Sequence, residues 1–178
     1  MHNVTKSCLE VLKQGENCLN SIDDETYCKV VQPFFISSSG EHMRHILDHF
    51  LALKNSQRPG VIDYDKRERG SDIEKDRLLT LTRIHEIKKW LITLDEKLLS
   101  KSLTIKTEVA LAETLVVEVK SSLARELVFA ASHAVHHYST IAIILNLQEI
   151  PLDRKFGLAP ATASYLRNLD TPCVHSPG

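Results

Sequence analysis

Cysteine is scarce in this 178-residue chain: Cys8, Cys18, Cys28 and Cys173 are the only four, with no C-x-x-C pair among them. None stands at zinc-finger spacing from a histidine, which argues against a structural zinc site. The first three read as small buried hydrophobes, and all four as reduced thiols of a cytoplasmic protein. An excess of charge is also missing, because 22 Lys and Arg face 23 Asp and Glu for a net charge of -1 and a pI near 6.7. With no Lys/Arg cluster interleaved with aromatics, a nucleic-acid partner is not expected. Nor does any apolar run approach the length of a bilayer span, and Met1 to Asn20 alternates polar and apolar residues at helical spacing instead of forming a signal peptide. A membrane partner is therefore not expected either. Internal repeats and low-complexity tracts are absent as well.

What remains is 43% hydrophobic, enough for one sizeable core. We read a single domain over residues 1–170 and a flexible tail over 171–178, rich in proline and small residues. Apolar spacing predicts a helix from about Thr5 to Asn20, loosened by Gly15, and at most a helical turn from Asp23. Ser38 and Glu41 form an S-x-x-E capping box that starts a helix running to about Asn55. Ser71 and Glu74 repeat the box and predict a long helix ending near Ser100. Between these two, Gln57 to Gly60 is turn chemistry and Asp63 to Gly70 a charged loop. The β-branched stretches Leu103 to Val109 and Thr114 to Lys120 predict a small hairpin. Ser121 and Ser122 cap a last long helix to about Asn146, with one further helical turn expected near Ser164. Four long helical patterns with one long crossover indicate an all-α four-helix bundle.

Histidine is where the sequence is rich. Six of nine fall in two knots, His42, His45 and His49 in one, His133, His136 and His137 in the other. Chance placement would give roughly one pair at the i,i+3 or i,i+4 spacing that shares a helical face. Here there are four such pairs: His42/His45, His45/His49, His133/His136 and His133/His137. Both knots lie on the predicted inner face of their helices, while Arg44 and Asp48 point elsewhere. The alternative, satisfied core or surface histidines, leaves three or more imidazoles desolvated without return. Two helices that turn imidazoles inward can close a three-histidine metal site. His133 and His137 supply two ligands, and His45, central in its knot, is the choice for the third, although His42 and His49 share its face. Three imidazoles suit zinc, nickel, copper or iron. Asp48 and Glu126 are candidates to orient the rings, with a solvated rim position as the competing reading. His136 points away from the other two of its knot, and His2, His85 and His175 are isolated.

The segments Ser38-Ser-Gly-Glu-His-Met-Arg-His45-Ile-Leu-Asp-His-Phe50 and Ser132-His-Ala-Val-His-His137-Tyr138 resemble the DinB-like or YfiT-like family of four-helix bundles. Tyr64 to Gly70 and Lys155 to Thr162 look like one branch of it, so the similarity runs from Ser38 to Thr162. The resemblance implies a metal triad at His45, His133 and His137, holding a divalent transition metal such as zinc, nickel or iron. It also implies an activity like that of relatives that are metal-dependent transferases acting on low-molecular-weight thiols. Many members follow the last histidine with Arg-Gly-Gln, where this chain has Tyr138-Ser139-Thr140.

The expectation is a metal-dependent enzyme of transferase or hydrolase type, its ion activating a water or a thiol for a small-molecule substrate. Arg67 and Arg69 would bind an anionic group if their loop folds over the mouth, with Tyr64, Asp65 and Glu74 as further contributors. The competing readings are a metal-binding stress protein without turnover and a helical module that dimerises.

Overall fold

A computed structural model of the protein describes residues 1–55, 60–66 and 69–170. Most of the turn expected at Gln57 to Gly60, Arg67, and the tail with Cys173 and His175 lie outside the described residues. Helix starts follow side-chain caps. Helix α1, Asn3–Asn20, begins where the His2 ring accepts from the Val4 N–H, and α2, Asp24–Cys28, where Asp23 accepts from Thr26. Helix α3, Ser39–Lys54, opens on the expected reciprocal capping box of Ser38 and Glu41.

The second expected box does not form. Ser71 makes no side-chain cap and precedes only a 3-10 turn, Asp72–Glu74. The Glu74 carboxylate reaches the Gly70 N–H at 3.0 Å and the Arg44 Nε–H at 2.9 Å, one residue past the bond a box needs. The buried guanidinium and the Gly70 N–H together hold that carboxylate, instead of the Ser71 N–H that a box would use. Helix α4, Arg77–Ile92, therefore starts later, on Asp76, and ends before the short α5, Glu96–Leu99, capped by Asp95.

Strands β2, Ser102–Glu108, and β3, Val116–Ser122, form the expected hairpin, the second two residues further along than read. Within the segment read as turn and charged loop lies a strand, β1, Val61–Asp63, parallel to β2. Three residues are too few to show alternation, so only the tertiary partner reveals it. The sheet order is β1-β2-β3, with Leu103 and Ile105 of β2 buried. Ser122 caps α6, Leu123–Asn146. The single turn expected near Ser164 is a longer helix, α7, Pro160–Asp170, with proline at the first position, where its missing N–H costs nothing.

The protein is mostly helical with a small sheet. Around the bundle, α6 packs between α1 and α3, and α4 closes the ring against both. Two glycines set these approaches. A side chain on Gly15 would strike the Tyr138 hydroxyl, and one on Gly40 would strike the backbone carbonyl of Glu74. The apolar content of α6 is enough, by length and composition, to cross a membrane, yet it is a central helix that buries Glu126 and carries the second histidine knot. Cys8 and Cys18 are buried as expected, and burial pushes both thiols up to about 12. Cys28, expected inside, is exposed at the end of α2.

Candidate metal centre

Helix α3 carries His42, His45 and His49 at intervals of three and four, so the three rings rise along one face. That face meets α6, where His133 and His137 stand one turn apart. The Nε2 of His133 lies 2.9 Å from Nε2 of His45 and 3.1 Å from Nε2 of His137. The His49 ring lies tilted 4.4 Å from that of His133 and edge-on 4.8 Å from that of His45, centroid to centroid. One ring nitrogen each from His45, His49 and His133 lies within 4.8 Å of the other two. The three residues selected from sequence, His45, His133 and His137, thus come together, and His49 joins them. His42 touches the group through His137, whereas His136 is exposed.

Hydrogen bonding serves this convergence poorly. A ring nitrogen offers one N–H or one lone pair, so His133 Nε2 must share it between two neighbours and aligns well with at most one. A shared cation makes both contacts favourable. With metal–nitrogen bonds of about 2.0–2.1 Å, ligand nitrogens sit about 3.3 Å apart in a tetrahedron and about 2.9 Å apart at right angles. The two separations at His133 fall in that range, and an all-imidazole donor set fits a divalent transition ion.

Tautomers follow from the partners. The His45 carbonyl, 2.9 Å from Nδ1 of His49, can only accept, so that Nδ1 donates and the Nε2 of His49 keeps its lone pair. His137 Nδ1 lies 2.9 Å from His42 Nδ1, and His42 Nε2 lies 3.0 Å from the Ser37 hydroxyl. If His137 turns an Nε2 lone pair inward, its Nδ1–H donates to His42, and the Nε2–H of His42 donates to Ser37. This is the outer bonding that orients a metal-binding imidazole. Burial, and then the neighbouring imidazoles His133, His42, His136 and His49, bring His137 down to about 3. Burial also lowers His42, against a smaller opposing effect of Glu41. Both rings are neutral at neutral pH, the form that can ligate.

Around the rings two polar pairs sit where the sequence suggested surface. Glu126 is 6% exposed, which overturns the rim reading, and it accepts from the Tyr64 hydroxyl at 2.8 Å and the Ser121 hydroxyl at 2.6 Å. Burial, followed by that bond to Glu126, raises the Tyr64 phenol, so it stays a donor. The Tyr64 ring lies 5.2 Å from that of His49, and Phe129 stacks on His133 at 5.7 Å. Arg44, expected to point away from the core, is 9% exposed and bridges Asp48 at 2.6 Å and Glu74 at 2.9 Å. Asp48 therefore serves a guanidinium. Arg44 and Asp48 are a local i,i+4 pair, but no local signal marks Glu74 or Tyr64 as partners, because they lie 30 and 62 residues away in sequence.

A cavity of about 250 Å³ opens onto the cluster, lined by His42, His45 and His137 with Ser37, Glu41, Arg44 and Arg69. Gly70, with φ of 74°, turns the loop there, and its N–H on Glu74 ties the loop down. Asp65 is engaged elsewhere, accepting from the Glu108 N–H. A larger cavity of about 420 Å³ lies between α1, α6 and the segment leading into α7, bordered by His136 and Ser132.

No family model matches the chain. It is similar to FK506-binding protein 5 of Rhizopus delemar, 31% identical over 107 residues, which are 60% of this chain and 28% of that protein. The chain thus spans under a third of that relative's length. The crystal structure of a DinB-like protein, YjoA, of Bacillus subtilis superposes with a TM-score of 0.59 at 17% identity, covering 87% of this chain and 99% of that one. The order of helices, the sheet before α6 and this superposition together show that the chain has the DinB-like fold.

Proposed function

We propose that the chain is a metal-dependent enzyme in which His45, His133 and His137 hold one divalent transition ion, zinc, nickel or iron, for a reaction of transferase or hydrolase type. The observation that carries this reading is the double contact of His133 Nε2, which a cation satisfies better than one shared hydrogen-bonding group does. A bound ion supplies Lewis-acid chemistry that activates a water or the sulfur of a low-molecular-weight thiol at neutral pH. The remaining work falls to side chains. His49 stands beside the triad, its Nδ1–H donated to the His45 carbonyl. His42 and Ser37 hold the tautomer of His137, and Tyr64 and Phe129 wall the cluster from water.

At the mouth, Arg44 is neutralised by Asp48 and Glu74, whereas Arg69 is exposed with no carboxylate partner among the described residues. Arg69 is the guanidinium suited to grip an anionic group of a substrate. A cavity of about 250 Å³ is below the roughly 300–1,000 Å³ of pockets for drug-sized ligands, which favours a small compound.

The test is metal analysis of protein purified without a polyhistidine tag, beside His45→Ala, His133→Ala and His137→Ala. About one ion per chain in the native protein and a loss of at least tenfold in affinity in each variant is expected. Full metal content in all three variants would overturn the reading.

A further inference from the structure

We infer that β3 is the docking edge for a second copy of this chain, the two β3 strands pairing antiparallel about a twofold axis at Val119. Strand β3 has β2 on one side and no strand on the other among the described residues. The direction of its backbone groups follows from the hairpin. Val109 N–H donates to the Leu115 carbonyl and Leu123 N–H to the Lys101 carbonyl, both in the register of the ladder. Bonded pairs alternate along an antiparallel ladder, so Val117, Val119 and Ser121 turn their N–H and C=O toward β2. Glu118 and Lys120 turn theirs outward, to the open edge.

Two rows of side chains cross the sheet and stop at that edge. On one face Asp63 lies opposite Lys106, and Lys106 opposite Glu118, so the signs alternate. On the other face Ile62, Ile105 and Val119 are in line; the first two are 2% and 4% exposed, and Val119 is 50% exposed. A twofold axis at Val119 continues both rows. It sets Glu118 against Lys120 of the second copy and Lys120 against its Glu118, the two positions whose backbone groups face outward. It also sets Val119 against Val119, and the whole strand from Val116 to Ser122 overlaps its own mate. Opposite charges directly across strands stabilise the pairing and like charges oppose it. A lysine on an edge normally repels a second strand. Here the strand supplies the carboxylate that meets it, and in this register alone the pattern complements itself. Val116 and Leu115 beside the edge are exposed apolar groups that the pairing would shelter.

Sedimentation equilibrium of the full chain, at up to about 200 µM, tests this. The native chain should dimerise, and Lys120→Glu, which opposes Glu118 with glutamate twice, should weaken the dimer at least tenfold. The double variant Glu118→Lys/Lys120→Glu restores opposite signs and should recover it. Far-UV circular dichroism checks that each variant is folded. Amide exchange at Glu118 and Lys120 should slow as the native concentration rises. A native chain that stays monomeric, a Lys120→Glu dimer as tight as the native one, or a folded double variant that remains monomeric would each overturn the inference.

Discussion

Toward α1, helix α6 presents Leu127 and Tyr138: the Cys8 thiol meets the Leu127 carbonyl, and Gly15 passes against the Tyr138 ring. Toward α3 the same helix presents His133 and His137, and there ring nitrogens crowd one another at 2.9–3.1 Å. The first seam is mostly apolar, and burial of apolar surface is non-directional and needs no particular partner. Its exceptions are the Tyr138 hydroxyl and the Thr5 hydroxyl, buried with no hydrogen-bond partner among the described residues. The second remains incomplete on burial alone, since each imidazole keeps a lone pair or an N–H that must be answered. A helix with two such faces couples the fold to a ligand on one side only. Stability on the α1 side should ignore metal, and stability on the α3 side should follow it.

The largest effect tests the α1 side. Leu12 is fully buried in the core, so Leu12→Ala should cost about 3 kcal/mol. Urea unfolding should give the same loss with saturating zinc and with chelator. A loss that differed between the two conditions would dissolve the contrast between the seams. On the other side, a ligand at a hundred times its dissociation constant stabilises by about 2.7 kcal/mol. That increment, seen as a rise in melting temperature when metal is added, should fall to about half or less in His133→Ala.

Next in size is Tyr64→Phe, which leaves the buried Glu126 carboxylate without its phenol donor. A cost of about 2 kcal/mol is expected by chemical denaturation, equal in the apo and loaded protein. Ser37→Ala removes the end of the chain through His42 to His137. It should weaken metal about tenfold, about 1.4 kcal/mol, while leaving the apo protein's unfolding nearly unchanged. Equal metal affinity in Ser37→Ala would separate His42 from the centre.

The most gradual effect is that of pH on the metal-free protein. His137 is held at about 3 where a free imidazole has 6.5. Between those values the unfolded chain binds more protons than the folded one, so stability rises with pH across the window and is lost as acid is added. His42 acts in the same direction. Above 6.5 these groups add no slope. Denaturation of His137→Gln should show a flatter profile between pH 4 and 6 than the native chain.

Much of this architecture is local and could be read from residues near one another. The Ser38 and Glu41 box, the Ser122 cap and the three-and-four spacing of the histidines each involve a single helix, and each stands where the sequence indicates. Three of the misreadings share one cause. Glu74 resembled a capping residue until Arg44, thirty positions away, took its carboxylate. Glu126 resembled a rim charge until Tyr64 covered it. Strand β1 is invisible without β2 beside it. Each depends on a partner brought near only by folding, and a strong local signal yields when a distant group offers a better bond.

By itself, then, the sequence determined that helices form, which residues cap them, and that imidazoles line one face of α3 and one of α6. Periodicity and capping are properties of a chain interacting with itself over a turn or two. Tertiary structure alone decided how far apart the two imidazole rows lie, which nitrogens converge, and that His42 and His49 stand with His45, His133 and His137. Those are distances between helices, set by which side chains fill the space between α3 and α6, and small residues such as Gly15 and Gly40 decide how closely the elements approach.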